Sequence, residues 1–292
     1  MIDRKYLEAW ENAIIYCGQK LHNTSDLVVI DWAGIGDANC HSRLIIEHLI
    51  CDKKISWLTV PLASSLYRDD YRLQVLPLFT NPQRDPHNIA CIENDKFINE
   101  LISKHLNNRK ILNISHNIVN LHLARLATGN YSEVFFRANG LKRNLNVKHS
   151  LIHKTKAELR KKTILLEFAS ATFGVLQEQI LCEIVQKISD LNYDIVLCGS
   201  LNDNYTINPN TFVDIIDLRG YDLYDVFSYA KSCNYIIGRS SGNQSLACFL
   251  PNIPLIEIDV PAFASYKDCQ LHPYVRNTTS KEFCQNIDRF IM

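Results

Sequence analysis

Short apolar runs rich in β-branched residues recur along this 292-residue chain, each running into a helical pattern. That alternation limits the fold more than any other feature. Leu27–Ile30 (LVVI), Ile55–Val60, Leu73–Leu78 and Ile111–Ile114 read as strands. Helical patterns cover 1–22, 38–51, 94–107 and 117–127; in the first, Leu7, Trp10, Ile14 and Leu21 recur at helical spacing. The series restarts at Thr163–Phe168 (TILLEF) and continues through 195–198, 213–218, 235–237 and 254–258. Helices are predicted there at 175–190, 224–233, 245–249 and from 280 onward. Strands alternating with helices predict an α/β fold of mostly parallel sheets with helices on both faces.

Gly140–Lys162 breaks the pattern. It is rich in Lys, Arg, Asn and His, and it reads as a linker with a short helix near 154–160. The chain is therefore expected to form two Rossmann-like domains, 1–150 and 151–292, with parallel sheets facing a cleft. The final helix is free to pack back on the first domain. The 31 basic and 31 acidic residues balance, which argues against a nucleic-acid binder. The ten cysteines form no CxxC pair, and several lie inside apolar runs (IVLCG, LACFL), so they read as buried thiols of a reducing compartment. The N-terminus lacks the apolar stretch of a signal peptide, and no run of about 18 apolar residues exists. The expected location is cytoplasmic, with room for contact at the inner face of the membrane.

Three places are suited to chemistry. Gly238-Arg239-Ser240-Ser241-Gly242-Asn243-Gln244-Ser245 follows a strand and opens a helix. First-turn N–H groups suit a phosphate, Ser240 and Ser241 add hydroxyls, Gly242 lets the backbone approach, and Arg239 supplies charge. A capped helix start without a ligand is the plain alternative. Gly34-Ile35-Gly36-Asp37 follows the first strand, where Asp37 can take a proton from a hydroxyl or simply cap the next helix. Asp31 is a second carboxylate able to hold that loop. Ser170 and Thr172, after the first strand of the second half, and Gly199, after the next, lie where open parallel sheets bind ligands. The scattered histidines, among them His41 and His116, read as structural or surface groups. Asp69-Asp70 reads as a solvated turn. Arg43, Lys53, Lys54, Arg68, Arg72 and Arg84 are able to meet an anionic acceptor or a membrane, or are ordinary solvated charge.

VDIIDLRGYDLYDVFSYAKSCNYIIGRSSGNQSLACFLPNIPLIEI (213–258) resembles the C-terminal half of the heptosyltransferase family of bacterial GT-B glycosyltransferases. LVVIDWAGIGDANCHSRLIIEHL (27–49) is similar to that family's first strand, Gly-Asp turn and helix, and 110–129 and 163–200 fit the same layout. The likeness covers most of the chain as a pattern of elements with few identical residues. It implies inverting transfer of a sugar from a nucleotide-diphosphate donor to a glycan, lipid-linked or protein acceptor, usually without a metal. The nucleotide sugar would be a co-substrate and no further cofactor is implied. The family's base falls on Asp37. Its diphosphate turn falls on Ser240, Ser241 and Gly242, with Asn243 and Gln244 following. The chain departs from the family at Ser240, where the family has Asp, and at Ser245, where it has His; no match appears for the family's lysine after the first strand of the second domain. A nucleotide-sugar epimerase or hydrolase, a non-catalytic binding relative and a dinucleotide oxidoreductase remain as alternatives, since fold alone does not choose among them.

Overall fold

The computed structural model describes residues 4–32, 38–51, 53–78, 89–123, 131–167, 169–170, 174–199, 215–239, 244–260 and 270–291. The chain divides into two compact units, Met1–His153 and Lys154–Met292.

The first unit runs α1 (Arg4–Lys20), β1 (Leu27–Asp31), a π-helical turn (Ala38–Ser42), α2 (Arg43–Leu49), β2 (Ile55–Thr59), α3 (Pro61–Leu66) and β3 (Leu73–Pro77). It continues with α4 (Ile89–His105), β4 (Ile111–Asn113), α5 (Ile114–Leu123) and α6 (Tyr131–Ala138). Its sheet has the order β3-β2-β1-β4 with every pair parallel. All five residues of β1 are buried, as a parallel strand covered on both faces requires. Trp10, Ile14, Cys17 and Leu21 give α1 one apolar stripe, which packs with Ile98, Leu101 and Ile102 of α4 over Val28 and Ile30. Trp10 meets Trp32 edge to face at 6.1 Å, a pairing that adds about 0.5–1.5 kcal/mol to its burial.

The helix expected over 38–51 begins instead as the wide π turn. Its five residues are all buried, and the Cys40 carbonyl accepts a 2.7 Å bond from the ring Nε2–H of His149. Two helices were not foreseen: α3, whose Pro61 sits at the first helical position, and α6.

The basic residues offered above for an anionic acceptor or membrane do not behave as one group. Arg43 is wholly buried; its Nη2 holds Glu47, the Asp70 carboxylate at 2.8 Å and the Ser150 carbonyl at 2.8 Å. Arg72 grips the same Asp70 through Nε (2.8 Å) and Nη2 (2.7 Å). Asp70 is thus no solvated turn residue. Burial pushes its carboxyl up, but the hydrogen bonds from Arg72 and the charges of both arginines outweigh this and hold it below the usual range. The network ties β3, α2 and the 141–150 segment together. No helix forms in 141–162, contrary to expectation near 154–160. Its polar groups bond to neighbouring elements instead: Ala157 donates to the Ser228 carbonyl at 3.0 Å, and Thr155 shares a 2.8 Å bond with the Tyr224 hydroxyl.

His41 is no surface group. Its ring stacks on Phe135 at 4.6 Å inside the first unit, near His149. Burial, then the charges of His149 and Arg143, press its pKa down to about 3. Burial presses His149 down to about 4, against the opposing Cys40 bond. Both folded values lie below the ordinary 6.5, so the unfolded chain binds more protons between them. The contribution is fully present above about pH 6.5 and is lost as pH falls toward 4 and then 3. The unfolding free energy from urea titration should fall steeply from pH 7 to pH 4, by at least about 3 kcal/mol. His41→Phe, which keeps a ring on Phe135, should roughly halve that slope; an unchanged slope would refute the assignment.

The second unit runs β5 (Thr163–Glu167), β6 (Ala169–Ser170), β7 (Gly174–Val175), α7 (Glu178–Asp190), β8 (Asp194–Leu197), β9 (Ile215–Asp217), α8 (Leu223–Ala230) and β10 (Tyr235–Gly238). A 3-10 helix (Gln244–Phe249), β11 (Leu255–Ile258), β12 (Val275–Thr278), α9 (Ser280–Gln285) and α10 (Ile287–Phe290) complete it. Its six-stranded sheet has the order β12-β11-β10-β5-β8-β9, again parallel throughout. In α7, Leu181, Ile184, Val185 and Ile188 recur at helical spacing and pack on Ile164, Leu166, Ile195 and Ile237. Asp222 caps α8 by accepting from the Asp225 N–H, and Thr279 caps α9 through Glu282. Phe283, Cys284, Ile287 and Ile291, the apolar residues of the C-terminal helices, lie in this unit's own core. The edge strand β12, VRNT in sequence, was missed because it carries no apolar alternation.

Cys17, Cys40, Cys198, Cys233, Cys248 and Cys284 are buried free thiols. Burial pushes Cys17 and Cys233 up to about 12, which keeps them protonated and unreactive. No helix among the described residues is long and apolar enough to cross a membrane.

Candidate functional site

Each sheet reverses its strand order once. Ligands of open parallel sheets sit beyond the carboxyl ends of the strands at such a reversal. In the first unit the reversal falls between β1 and β4, in the second between β5 and β10.

At the first reversal β1 ends on Asp31, which is wholly buried. The Ser115 hydroxyl, at the start of α5, donates to the Asp31 carboxylate at 2.9 Å and accepts the Trp32 N–H at 2.9 Å. This relay fastens the end of β1 to the start of α5, one residue before the Gly34–Asp37 loop. Among the described residues, Asp31 is therefore bonded to Ser115 of α5, not to a group of the Gly34–Asp37 loop. Gly34, Gly36 and Asp37 themselves lie outside the described residues.

Beside the relay stands a pair that sequence reading missed. His116 Nδ1 lies 2.6 Å from the carboxylate of buried Asp95, so the ring nitrogen donates and the imidazole is oriented. The His116 backbone N–H also donates to Asn113 Oδ1 at 3.2 Å. Asp95 and His116 are 21 positions apart on α4 and α5, and no short-range signal links them.

At the second reversal Glu167, Gly238 and Glu257 share one rung across β5, β10 and β11. Both carboxylates are buried. A Cβ on Gly238 would stand 2.2 Å from the Glu167 carbonyl oxygen, so only glycine lets these two strand ends close together. The turn that follows is held at both ends by Glu167: its carbonyl accepts the Arg239 N–H at 3.1 Å, and its Oε2 accepts the Gln244 N–H at 2.8 Å. Gln244 and Ser245 are wholly buried, and Arg239 is half-buried. Ser240, Ser241, Gly242 and Asn243 lie outside the described residues, as does Thr172. Ser170 falls in a two-residue antiparallel pair with Gly174. Gly199, two residues beyond β8, has φ 139°, a conformation L side chains rarely adopt, and its carbonyl accepts the Gly220 N–H at 3.0 Å. Of the donor-side candidates, the structure therefore brings Arg239 and Gln244 together around Glu167, a residue that stood in the sequence only as the end of a strand.

No family model matches the chain, and no curated protein matches it in sequence. Solved structures do match in fold. The glycosyl transferase family 9 protein of Veillonella parvula DSM 2008 is 13% identical, with TM-score 0.61 over 89% of this chain and 88% of that one. ADP-heptose lps heptosyltransferase II of E. coli is 14% identical, with TM-score 0.62 over 90% and 98%. E. coli heptosyltransferase WaaC with ADP is 12% identical, with TM-score 0.56 over 90% and 99%. The chain thus has the two-unit α/β fold, each unit on a parallel sheet, of heptosyltransferases and related GT-B glycosyltransferases.

Proposed function

We propose that the protein is an inverting glycosyltransferase. It moves a sugar from a nucleotide-diphosphate donor to a glycan, lipopolysaccharide-type or protein acceptor without a metal. The observation that carries the reading is the second reversal point: a glycine strand end at Gly238, followed by Arg239 and a turn anchored on Glu167. The fold shared with glycosyltransferases over about nine-tenths of the chain, one of them solved with ADP, supports the same conclusion.

Asp37 is the proposed base. A free aspartate is weak for that task, near pKa 4, and exclusion of water around it would raise it. The departing nucleoside diphosphate gathers negative charge. Backbone N–H groups of residues 240–243, the Ser241 hydroxyl and the Arg239 side chain are the groups proposed to stabilise it. In the first unit, the Asp31–Ser115–Trp32 relay holds the strand end from which the Asp37 loop departs. A non-catalytic binding protein on the same scaffold is the second reading, favoured by Ser240 and Ser245 in place of the family's Asp and His.

A thermal-shift series with ADP, UDP, GDP and CDP tests the donor site. One of them at a hundredfold excess over its Kd should stabilise the chain by about 2.7 kcal/mol. The double variant Arg239→Ala, Ser241→Ala should lose the response. If none raises the melting temperature at millimolar concentration, the donor site is not where it is proposed to be.

A further inference from the structure

The chain balances 31 basic against 31 acidic residues, yet its charge is not spread evenly. From Val134 to Lys162 stand nine basic residues and one acidic residue, Glu158. Five of the nine, Lys154, Lys156, Arg160, Lys161 and Lys162, belong to the second unit, on an irregular strap that leads into β5. The strap is fixed along α8. Ala157 donates to the Ser228 carbonyl at 3.0 Å, its own carbonyl accepts from the Ser232 hydroxyl, and Thr155 shares a bond with the Tyr224 hydroxyl. Side chains of an extended backbone alternate between two sides, so this pinning leaves Ala157 and Leu159 half-buried and Lys156, Glu158 and Arg160 exposed. Lys154, Lys161 and Lys162 are exposed too. Lys161 meets Asp194 at 3.5 Å and Lys162 lies over the Tyr193 ring at 5.8 Å, whereas Lys156 and Arg160 hold no ion pair among the described residues. Along the strap and α8, five exposed basic residues thus face solvent against two exposed acidic ones, Glu158 and Asp225.

We propose that this strap is the face with which the protein meets an anionic membrane surface. Lysine predominates on it, and an ammonium is a hydrated point charge suited to a diffuse layer of headgroups; recognition of a single phosphate favours the arginine fork. Residues 154–162 include no aromatic ring on which a base could stack, and they form no helix or ribbon to enter a groove, which sets nucleic acid aside. No helix among the described residues is able to cross a membrane, so a contact made by them is peripheral and electrostatic. The arginines that sequence offered for this role are committed elsewhere: Arg43 is wholly buried, and Arg72 grips Asp70. The inference stands apart from the donor site and does not need it.

The test is flotation of the full chain with vesicles of phosphatidylcholine, alone or with about one third phosphatidylglycerol. Each basic residue at an anionic surface adds about fivefold to the partition, so wild type should bind the anionic vesicles at least about tenfold more tightly than the neutral ones. The double variant Lys156→Gln, Arg160→Gln should lose about tenfold of that binding and keep its melting temperature, because neither side chain is paired in the fold. Lys53→Gln, Lys54→Gln removes the same charge from the first unit and should bind like wild type. Raising the salt to about 1 M, where the Debye length shrinks to about 3 Å, should release the wild type. The proposal is overturned if wild type binds both vesicles alike, or if the strap variant loses no more than the first-unit variant. It also falls if a duplex oligonucleotide at equal phosphate concentration strips the protein from the vesicles, since the partner is then a soluble polyanion. Nucleotide binding in the thermal-shift series should be the same for wild type and the strap variant, so the donor reading survives a failure here.

Discussion

Asp37→Asn is expected to lower the turnover of sugar transfer by about 10²- to 10⁴-fold, the range of a positioned general base. Donor affinity should stay close to wild type, because the change lies in the first unit while the donor turn is proposed in the second. The measurement is single-turnover transfer from whichever nucleotide sugar the thermal-shift series identifies. A drop in turnover with unchanged donor Kd marks a group that acts after binding. The parallel variant His116→Gln is the informative comparison. The structure orients that imidazole against Asp95 beside the same strand end. If His116→Gln removes the activity and Asp37→Asn does not, the proton acceptor has been placed on the wrong residue of the first unit.

Arg43→Met should cost the first unit about 3–5 kcal/mol. The guanidinium is wholly buried and makes bonds to Glu47, Asp70 and the Ser150 carbonyl. Methionine fills much of the same volume but leaves two carboxylates and a carbonyl in the interior with, among the described residues, Arg72 as the remaining cation on them. An uncompensated buried charge is the costly element, more than the loss of the attraction itself. The Arg43 group also sits over the Tyr67 ring at 5.1 Å, which adds to the loss. Thermal unfolding should fall on the order of 10 °C. Arg72→Met, at a quarter-exposed position, should cost clearly less. Equal costs for the two variants would show that the network draws its stability from surface pairing rather than from the buried arginine.

Much of the fold was legible along the chain because its strands are nearly continuous apolar runs. LVVI, ISWLT, TILLE and YIIG need no partner to be recognised, since a parallel strand covered on both faces buries every residue. The same signal fails for VRNT at the sheet edge, whose side chains are largely exposed, and for the six-residue helix at Pro61. The candidate residues at Gly34–Asp37 and Ser240–Asn243 rest on the sequence alone, where glycine and small polar residues follow a strand. The site was not legible where a charged residue acts from a distant point of the chain. Glu167 reaches Gln244 across 77 positions, Asp31 reaches Ser115 across 84, and Asp95 reaches His116 across 21.

The sequence by itself determined the class of structure, two successive α/β halves, because side-chain burial imposes a local period that a reader can count. It also marked the strand-to-helix turns where ligands of such sheets bind. Only the tertiary structure decided which charged side chains are buried and what each one is paired with. Asp70 and Arg43 look like surface charges in sequence and are a buried pair in space; Glu167 looks like a strand residue and proves to anchor the turn. The reason is physical: a charge buried in the interior is tolerated only with a partner, and the partner is supplied by strand order rather than by neighbours along the chain.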